Sequence, residues 1–500
     1  DEPSMTTKLI AYAIGIIVVW LMAMRTRSVT ARQVLYLVAS WLFYISWGSW
    51  LIVVLLFSSL MNYALGEWLK KRISAGRLWT GLLLNIALLS VFKYLPLLGN
   101  VAPAGSPLLL VKRIMFPAGI SFWTFQAMSY LLELYREEEL NPTLLEFCLY
   151  MSFWPTVLQG PICRLSAMLP QFRQDWSASA EDLKTGVRRV AIGSMMVYLG
   201  NVMAGGLYTG AGVEGVFSNP AARLSGIDVW CMILGYGFQL YFNFCGVTHI
   251  VIGAARLFGL QLHENFNRPY LSTTISEFWT RWHMSLSFWI RDFLFLPLAT
   301  ARREVWWRNL SLVIAMFVFG VWHVSPSEKA NVLLLFWGTY HGILLVLHRQ
   351  WQEFRKRVGF EWTGAVATAI SWCLTFSAVC IGYVFFRAES IRQAVAMLKG
   401  LVSPHGYLHR SFDPSFYVLT LVAAAGYFAV IGGSVLLDRL GEAARRRQET
   451  APGAVSSWLG IIANERWVWI TPVVVVLALY LSVIFQPGHA ETGPVMYALF

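Results

Sequence analysis

Charged side chains are scarce in this chain of 500 residues, since Asp, Glu, Lys and Arg together make up only 13% of it. An ordinary soluble domain carries roughly a quarter charged residues, so this supply cannot cover a water-facing surface of that size. Hydrophobic residues make up 57% of the chain, which also excludes an intrinsically disordered protein. The 23 Trp and 39 Gly are typical of a protein that crosses the membrane several times.

Sequence motifs of the common soluble enzymes are also missing. The chain contains no phosphate-binding P-loop, no dinucleotide-binding glycine pattern, no GxSxG nucleophile motif and no HExxH zinc motif. We therefore expect no metal ion and no bound cofactor. The cysteines form no CxxC pair and lie mostly in apolar stretches, which favours buried, unreactive thiols: Cys148, Cys163, Cys231, Cys245, Cys373 and Cys380.

The net charge of +12 comes from basic residues that cluster in short loops between apolar runs. In a soluble protein such an excess suggests a nucleic-acid partner, but the loop positions here favour membrane topology and contact with anionic lipid, and we expect no nucleic acid. Basic loops mark the cytoplasmic side of a membrane protein. The clearest ones cover residues 25–32, 70–72, 302–303, 355–357 and 445–447.

The first apolar run, residues 9–24, follows the acidic Asp1 and Glu2 and precedes the first basic cluster. This order predicts a membrane span with the amino terminus outside rather than a signal peptide, whose n-region is basic. Further runs approach the ~20 residues that a span needs. They cover about 33–47, 49–67, 78–98, 114–134, 144–160, 187–208, 227–257, 307–324, 330–348, 363–386, 414–437 and 466–486.

Runs between residues 100 and 180 are short or broken by Gly and Pro, so re-entrant segments are an alternative to full crossings there. Segments 388–412 and 487–500 are expected to lie outside the cell. The sequence predicts one all-α polytopic membrane domain. Its core would cover residues 1–400, and residues 401–500 would add transmembrane helices peripheral to that core.

The segment 277–297 combines ionisable and aromatic residues in an unusual way. Ionisable groups at membrane depth are costly and usually face a cavity or a partner. The spacing of Arg281 and Ser285 predicts that they share one side of a helix. An amphipathic helix at the membrane interface is the alternative. The candidate site residues in this segment are Arg281, His283, Ser285, Arg291 and Asp292.

His323 follows Trp322 in the motif GVWH (320–323), within a run of apolar residues. It lies 16 residues beyond Trp307, or about 24 Å deeper in the membrane if the segment is helical. A neutral imidazole there could act as a general base. Alternatively, His323 is structural and donates a hydrogen bond to a carbonyl on a neighbouring helix. Trp322 is a candidate lining residue.

Polar residues on other apolar runs give weaker candidates. His341, eight residues before Arg349, lies about 12 Å from the inner surface if the run is helical. Gln239 and Asn243 lie in the segment QLYFNFCG. Each could line a substrate tunnel. Helix-to-helix hydrogen bonding is the alternative for the two amides, as a structural role is for His341.

Taken together, these motifs resemble the membrane-bound O-acyltransferases, in the bacterial branch that contains the alginate O-acetylation and teichoic-acid D-alanylation proteins. The resemblance covers about residues 115–400, and the two histidine motifs 40 residues apart are its most specific part. Asn243 replaces an acidic residue that is common in the branch, and Val324 replaces a small one. The matching segments are FPAGISFWTFQAMSY (116–130), GPICR (160–164), ENFNRPYL (264–271), FWTRWHMSLSFWIRDFLFLPL (278–298), GVWH (320–323), FWGTYHG (336–342) and YVFFRAES (383–390).

The resemblance implies a helical bundle with a central funnel or tunnel in the bacterial inner membrane. It implies that His323 is catalytic and that His283 is a second active-site residue. The expected reaction moves an acyl group, by analogy acetyl, from a cytoplasmic thioester such as acetyl-CoA to a hydroxyl of an exported polysaccharide or a periplasmic acyltransferase partner. D-alanyl transfer to a teichoic-acid-type polymer is the alternative within the family. A membrane transporter or channel and a non-catalytic assembly scaffold are the alternatives outside it.

Overall fold

The computed structural model describes residues 5–450 except 48, 101, 104, 176–177, 207–211, 219, 221–222, 326–329, 404–406 and 408. These parts are mostly helical and contain no β-strand. The α-helices are α1 (Met5–Arg25), α2 (Val29–Ile45), α3 (Ile52–Lys71), α4 (Ala75–Lys93), α5 (Leu95–Asn100), α6 (Ile120–Tyr135), α7 (Leu144–Ser152), α8 (Leu165–Arg173), α9 (Ala180–Gly205), α10 (Val213–Ser218), α11 (Gly226–Leu257), α12 (Ile275–Trp279), α13 (Met284–Ile290), α14 (Leu296–Thr300), α15 (Val305–His323), α16 (Asn331–Val358), α17 (Ala365–Arg387), α18 (Ile391–Val402) and α19 (Pro414–Thr450). Short 3₁₀ segments lie at Ser49–Leu51, Pro107–Arg113 and Pro269–Leu271, and a π-helical turn lies at Arg291–Phe295.

Seven of the described helices are long and apolar enough to cross a membrane, which confirms the prediction of an all-α polytopic membrane protein. They are α3, α4, α11, α15, α16, α17 and the first part of α19. The predicted bounds 307–324 and 363–386 differ from those of α15 and α17 by no more than two residues. The predicted runs 9–24, 33–47 and 187–208 are not among these seven helices.

The predicted crossing at 144–160 is wrong. The helix there, α7, has only nine residues, or about 14 Å, because the chain leaves the helical conformation at Phe153. The run 114–134 forms α6, which has 16 residues and is also shorter than a span. Nearly all side chains of α6 and α7 are buried inside the protein. The prediction for residues 100–180 remains that they form re-entrant segments rather than full crossings.

Helix α11 is the most buried of the spans described. It has 32 residues, and 89% of its most apolar window is covered by other parts of the protein. A helix that is hydrophobic on all sides is typical of such a position. Helix α9 packs along it closely, since a Cβ on Gly246 would lie 2.8 Å from the Gly193 carbonyl oxygen. Only small residues allow two backbones to approach so closely.

Helices α15, α16 and α17 follow one another through short connections, so neighbouring helices run in opposite directions. The carboxyl ends of α15 and α17 and the amino end of α16 therefore lie at the same end of the bundle. Helices α15 and α16 touch through glycines, and a Cβ on Gly338 would lie 2.3 Å from the Met316 carbonyl oxygen. This close contact brings the end of α15, with His323, against the first turns of α16, where Trp337 lies.

The amino end of α7 is fixed by a capping box and an ion pair. Thr143 and Glu146 exchange side-chain-to-backbone hydrogen bonds, and Arg173 on α8 donates to the Glu146 carboxylate at 2.7 Å. Burial alone would raise the pKa of Glu146, but the hydrogen bonds from Arg173 and Thr143 lower it from its ordinary value of 4.5 to about 2. Glu146 therefore stabilises the contact of α7 with α8 as a carboxylate.

The carboxyl-terminal part of the chain is described only as far as residue 450, so the predicted span 466–486 and the segment 487–500 lie outside the described residues. Helix α18 falls within the predicted outer segment 388–412. Tyr427 of α19 is buried against Phe238 and Tyr241 of α11, with ring centroids 5.4 and 5.2 Å away. The division into a core at 1–400 and a peripheral part at 401–500 remains a prediction.

Candidate active site

Three histidines from separate segments line one small chamber between α11, α12, α15, α16 and α17. Its open volume is about 20 Å³, which is room for about one water molecule. Most of the wall is aromatic, so the polar atoms that face the chamber come chiefly from the imidazole rings. The lining residues are Leu240, Phe244, Phe278, Trp279, Trp282, His283, His323, Trp337, His341, Val379, Tyr383 and Phe386.

His323 is the last residue of α15, and its hydrogen bonding fixes which nitrogen is free. Nδ1 lies 2.9 Å from the carbonyl oxygen of Phe319 in the same helix. A carbonyl oxygen only accepts, so Nδ1 carries the proton, and the lone pair of the neutral ring is on Nε2. The carbonyl belongs to α15 itself rather than to a neighbouring helix, and the catalytic role of His323 remains a prediction. The bond orients the ring and leaves Nε2 for chemistry.

Aromatic rings enclose His323 without covering it. The centroids of Trp322, Trp337, Phe386 and Phe319 lie 4.8, 5.1, 5.2 and 5.3 Å from that of the imidazole. The histidine is half-buried and borders the chamber. The surroundings are thus drier than the water-filled funnel that the family resemblance implies. A continuous passage to either side of the membrane remains a prediction.

His283 also lines the chamber, and its side chain is 1% exposed. Its Nε2 is buried without a hydrogen-bond partner. The ring packs edge-on against Phe244 at 4.7 Å and against Trp322 at 5.9 Å. Because Trp322 and Phe319 each contact both His283 and His323, the two imidazoles share two neighbours. A buried, unpaired imidazole nitrogen is costly unless it serves a ligand or a reaction.

The prediction that Arg281 and Ser285 share one side of a helix is wrong. Helix α12 ends at Trp279 and α13 begins at Met284, so Arg281 lies in a turn and does not share a helix face with Ser285. The break has a local cause, since His283 has a left-handed backbone with φ of 41°. Such a conformation costs a residue with a Cβ about 1–2 kcal/mol. The alternative of a single interfacial helix fails for the same reason.

Asn265 stabilises this turn and was missed in the sequence. Its Oδ1 accepts hydrogen bonds from the Ser285 backbone N–H at 3.1 Å and from the Ser285 hydroxyl at 2.7 Å. Its carbonyl oxygen accepts from the Met284 N–H at 2.9 Å. Asn265 is fully buried, so these bonds are shielded from water. The sequence feature that could have identified Asn265 is its position in the motif ENFNRPYL, twenty residues before Ser285.

His341 of α16 completes the set and is 2% exposed. The ring lies 5.1 Å from Trp279 and 5.2 Å from Trp337, measured between centroids. A Cβ on Gly382 of α17 would lie 2.7 Å from the His341 Nε2, so this glycine makes room for the imidazole. The structure therefore places all three predicted histidines at one chamber.

The family model described as the membrane-bound O-acyltransferase family matches residues 18–386. The chain belongs to this family. A probable alginate O-acetylase from Pseudomonas aeruginosa is 30% identical over 390 residues, 74% of this chain and 70% of the relative. A peptidoglycan O-acetyltransferase from Helicobacter pylori is 30% identical over 401 residues, 74% of this chain and 73% of the relative. A teichoic acid D-alanyltransferase from Bacillus subtilis is 26% identical over 353 residues, 67% of this chain and 82% of the relative.

The protein is therefore a multi-pass membrane acyltransferase. Membership decides against the transporter, channel and scaffold alternatives, because the relatives named above are acyl-transferring enzymes. The roles of the individual histidines remain predictions.

A second residue of this acyltransferase that the sequence analysis missed is Lys93 on α4, which is 2% exposed. Its ammonium donates to the carbonyl oxygen of Trp322 and lies 3.3 Å from the Ser121 hydroxyl. The next residue, Tyr94, donates to the Val321 carbonyl at 3.1 Å. Carbonyl groups at the end of a helix lack partners within the helix. Lys93 and Tyr94 satisfy two of them and hold the end of α15 beside the chamber.

The remaining predicted residues of this acyltransferase lie around the chamber but do not line it. Arg281 pairs with Glu277 at 2.6 Å, and Ser285 bonds Asn265 as described. Asn243 packs in the contact of α11 with α9, where a Cβ on Gly200 would lie 2.1 Å from its Oδ1. Gln239 lies near the chamber, next to the lining residue Leu240 in sequence. Trp322 packs against the rings of both catalytic candidates, His283 and His323.

Arg291 and Asp292 belong to a cluster of charges on the π-helical turn. Asp292 pairs with Arg291 at 2.7 Å and with Arg164 at 2.5 Å, and its carbonyl oxygen accepts from Arg136 at 2.6 Å. Burial alone would raise the pKa of Asp292, but the two guanidinium side chains lower it below its usual value. The cluster ties the segments before and after the chamber together. It does not bring either predicted residue to the histidines.

Metal ligation has no support in the residues that the structure describes, where no three His, Cys, Asp or Glu side chains come together. The cysteines are free thiols, and all are buried except Cys373, which is exposed.

Proposed function

We propose that this acyltransferase moves an acetyl group from a cytoplasmic thioester, with acetyl-CoA as the simplest donor, to a hydroxyl group outside the cytoplasmic membrane. The receiving hydroxyl belongs to an exported polysaccharide or to a periplasmic acyltransferase that passes the group on. The observation that carries the proposal is the pair of imidazoles at one chamber, with Nε2 of His323 free to accept a proton. The printed names of two relatives, an alginate O-acetylase and a peptidoglycan O-acetyltransferase, support it.

In the proposed step, Nε2 of His323 takes the proton of the acceptor hydroxyl as its oxygen attacks the thioester carbonyl carbon. A carbon–oxygen bond forms, the carbon–sulfur bond breaks, and His323 returns the proton to the leaving thiolate. General acid–base catalysis of this kind contributes about 10²–10⁴-fold to a rate. Nε2 of His283, buried and unpaired, would carry a proton and donate a hydrogen bond to the oxyanion that develops on the carbonyl oxygen.

The lining favours acetyl over D-alanyl as the transferred group. None of the described residues that line the chamber is an Asp or a Glu, so the ammonium group of D-alanine would have no counter-charge there. An unpaired charge in an apolar site costs on the order of several kcal/mol. D-alanyl transfer is therefore the second candidate.

Charge at the helix ends supports an orientation. Arg302 and Arg303 precede α15, and Arg355, Lys356 and Arg357 end α16, all at the end of the bundle opposite His323. Basic loops stay in the cytoplasm. His323 then lies toward the outer side of a bacterial inner membrane, and the Arg-flanked end of α1 places the amino terminus outside. A donor approaches from the cytoplasm and an acceptor from the other side.

The small, mostly aromatic chamber has a consequence for the reaction. A space for about one water molecule does not hold the two reacting groups at once, so the lining rings must move when substrates bind. Exclusion of bulk water protects a thioester from hydrolysis and strengthens the hydrogen bond to the oxyanion. Membrane lipid surrounds the rest of the bundle.

The proposal is tested with the full-length protein in proteoliposomes, radiolabelled acetyl-CoA and candidate polymers, with and without a periplasmic acyltransferase. We expect His323→Ala to lose at least about 100-fold in label transfer and His283→Ala to lose a substantial part. His348→Ala is the matched control, because this histidine lies on α16 and does not line the chamber.

Equal transfer by all variants would remove both catalytic roles. Uptake of label into the vesicles without a covalent acetyl product would overturn the proposed reaction in favour of transport. Faster transfer from a D-alanyl thioester than from acetyl-CoA would reverse the choice of acyl group.

A further inference from the structure

Three polar side chains of the chamber wall contain nitrogens without a hydrogen-bond partner in the part of the chain that the structure describes. These side chains are Trp279, Trp337 and His341, and all three line the chamber. The unpaired atoms are Nε1 of each indole and Nδ1 of the imidazole, and each is buried. The His341 ring lies 5.1 Å from that of Trp279 and 5.2 Å from that of Trp337, so the three form one indole–imidazole cluster.

The indole–imidazole cluster extends from His323 toward the basic end of the bundle. Helix α16 begins at the His323 end, and its Trp337 packs against the His323 ring at 5.1 Å. His341 follows four residues later, about 6 Å farther along the helix. On α17, Phe386 packs against the His323 ring, and the lining residue Val379 lies about 10 Å farther from that end. In the proposed orientation, the basic end is the cytoplasmic side, from which the donor approaches.

The chemistry of the indole–imidazole cluster selects the ligand. An indole N–H only donates, and a neutral imidazole has one donor and one acceptor, so donors outnumber acceptors here. None of the lining residues of the chamber is an Asp, Glu, Lys or Arg, which favours an uncharged ligand. Buried polar atoms are normally paired, and unpaired ones in a cavity wall are candidates for ligand binding. The cluster therefore fits a neutral group with a carbonyl oxygen.

A pantetheine thioester such as acetyl-CoA carries a group of this kind. Its chain continues from the sulfur through two methylene groups to an amide. The carbon of this amide carbonyl is five bonds from the acyl carbonyl carbon, or about 6 Å in an extended chain. The same distance separates His341 from Trp337 along α16, and Trp337 contacts the His323 ring. An acyl carbon placed beside His323 would thus leave the amide beside His341.

We propose that the indole–imidazole cluster binds the amide next to the sulfur of a pantetheine thioester, and so selects this class of donor. The inference rests on the proposed function, because it assigns the donor to the cytoplasmic side of His323. An N–H of His341 and an indole N–H donate to the amide carbonyl oxygen, which has two lone pairs. The lining rings turn to expose these nitrogens as the donor enters. A thioester without the amide binds less tightly.

The test measures binding of two donor analogues that cannot react, using the full-length protein in detergent and saturation-transfer NMR with competition. Both are methyl ketones in which a methylene replaces the thioester sulfur. In the amide analogue the chain continues as in pantetheine, and in the ether analogue –O–CH₂– replaces the –NH–CO– group. We expect the wild type to bind the amide analogue at least about tenfold more tightly than the ether analogue.

His341→Leu should lose most of this preference, and Trp279→Phe, which keeps an aromatic ring but removes the indole N–H, should lose a smaller part. His348→Leu is the matched control, because His348 lies on the same helix but does not line the chamber, and it should keep the wild-type preference.

The ether analogue distinguishes loss of the amide contact from misfolding. Its affinity should be the same for the wild type and for His341→Leu, because it does not use the cluster. Equal binding of both analogues by the wild type, binding of neither, a preference that survives in His341→Leu, or an equal loss of both analogues in that variant would each overturn the subsite. His323→Ala should keep the preference for the amide, so failure of the subsite and failure of the catalytic proposal are separate results.

Discussion

Replacing Asn265 by Ala tests whether the turn that holds His283 is built by one buried amide. The variant leaves the Ser285 N–H and hydroxyl without the acceptor they share at 3.1 and 2.7 Å. Each buried donor left unpaired costs about 1–3 kcal/mol. The left-handed backbone of His283 costs about another 1–2 kcal/mol, so we expect the turn to change conformation once these hydrogen bonds are lost.

We therefore expect Asn265→Ala to lower the thermal midpoint in detergent and to reduce acetyl transfer by about tenfold or more, since 1.36 kcal/mol corresponds to a factor of ten. Asn309→Ala is the matched control, because the Asn309 side-chain oxygen already lacks a partner.

A double-mutant cycle with Ser285→Ala separates the causes. Ser285→Ala removes only the hydroxyl, so it should cost less than Asn265→Ala, and the two changes together should cost less than their sum by about 1 kcal/mol. The reasoning is refuted if Asn265→Ala keeps both the thermal midpoint and the transfer rate of the wild type, or if the two substitutions are additive.

Three further predictions concern contacts around the chamber. Gly338→Leu should abolish folding or transfer, because its Cβ would lie 2.3 Å from the Met316 carbonyl oxygen; normal activity in a vesicle assay would contradict the glycine contact of α15 with α16. Lys93→Met should reduce transfer about tenfold, since the Trp322 carbonyl loses its charged partner, and wild-type rates would show that the end of α15 needs no such support. Glu146→Gln should lower the thermal midpoint most at pH values above 4.5. Because the pKa of Glu146 is lower in the folded than in the unfolded protein, this deficit should disappear as the pH falls toward 2. A deficit that does not change with pH would contradict the ion pair.

The sequence was sufficient for the membrane class and for the long spans. The low charge content and basic loops predict helices such as α15 and α17 closely, since burial in lipid imposes one length and one composition. The sequence prediction failed for α7, because a short apolar segment buried in protein has the same composition as a segment that crosses lipid. Length alone could not separate the two.

Within the site, the histidines were found because ionisable groups are rare in apolar runs. Asn265 and Lys93 were not found, because their roles depend on partners 20 and 229 residues away in the chain. The break at His283 was missed for a similar reason, since the amphipathic pattern continues through the turn and the left-handed residue is not a glycine. Gln239 was identified as a polar residue, but its hydrogen bond to Glu214 depends on the fold.

The central claim is that Nε2 of His323 accepts the proton of the attacking hydroxyl. Its most direct test is chemical rescue, in which the acetyl-transfer rate of His323→Ala is measured with and without added imidazole, which can occupy the space left by the ring. The account predicts a loss of at least about 100-fold and a partial recovery that grows with the concentration of the imidazole free base. A His323→Ala protein that transfers acetyl groups as fast as the wild type without imidazole would contradict it.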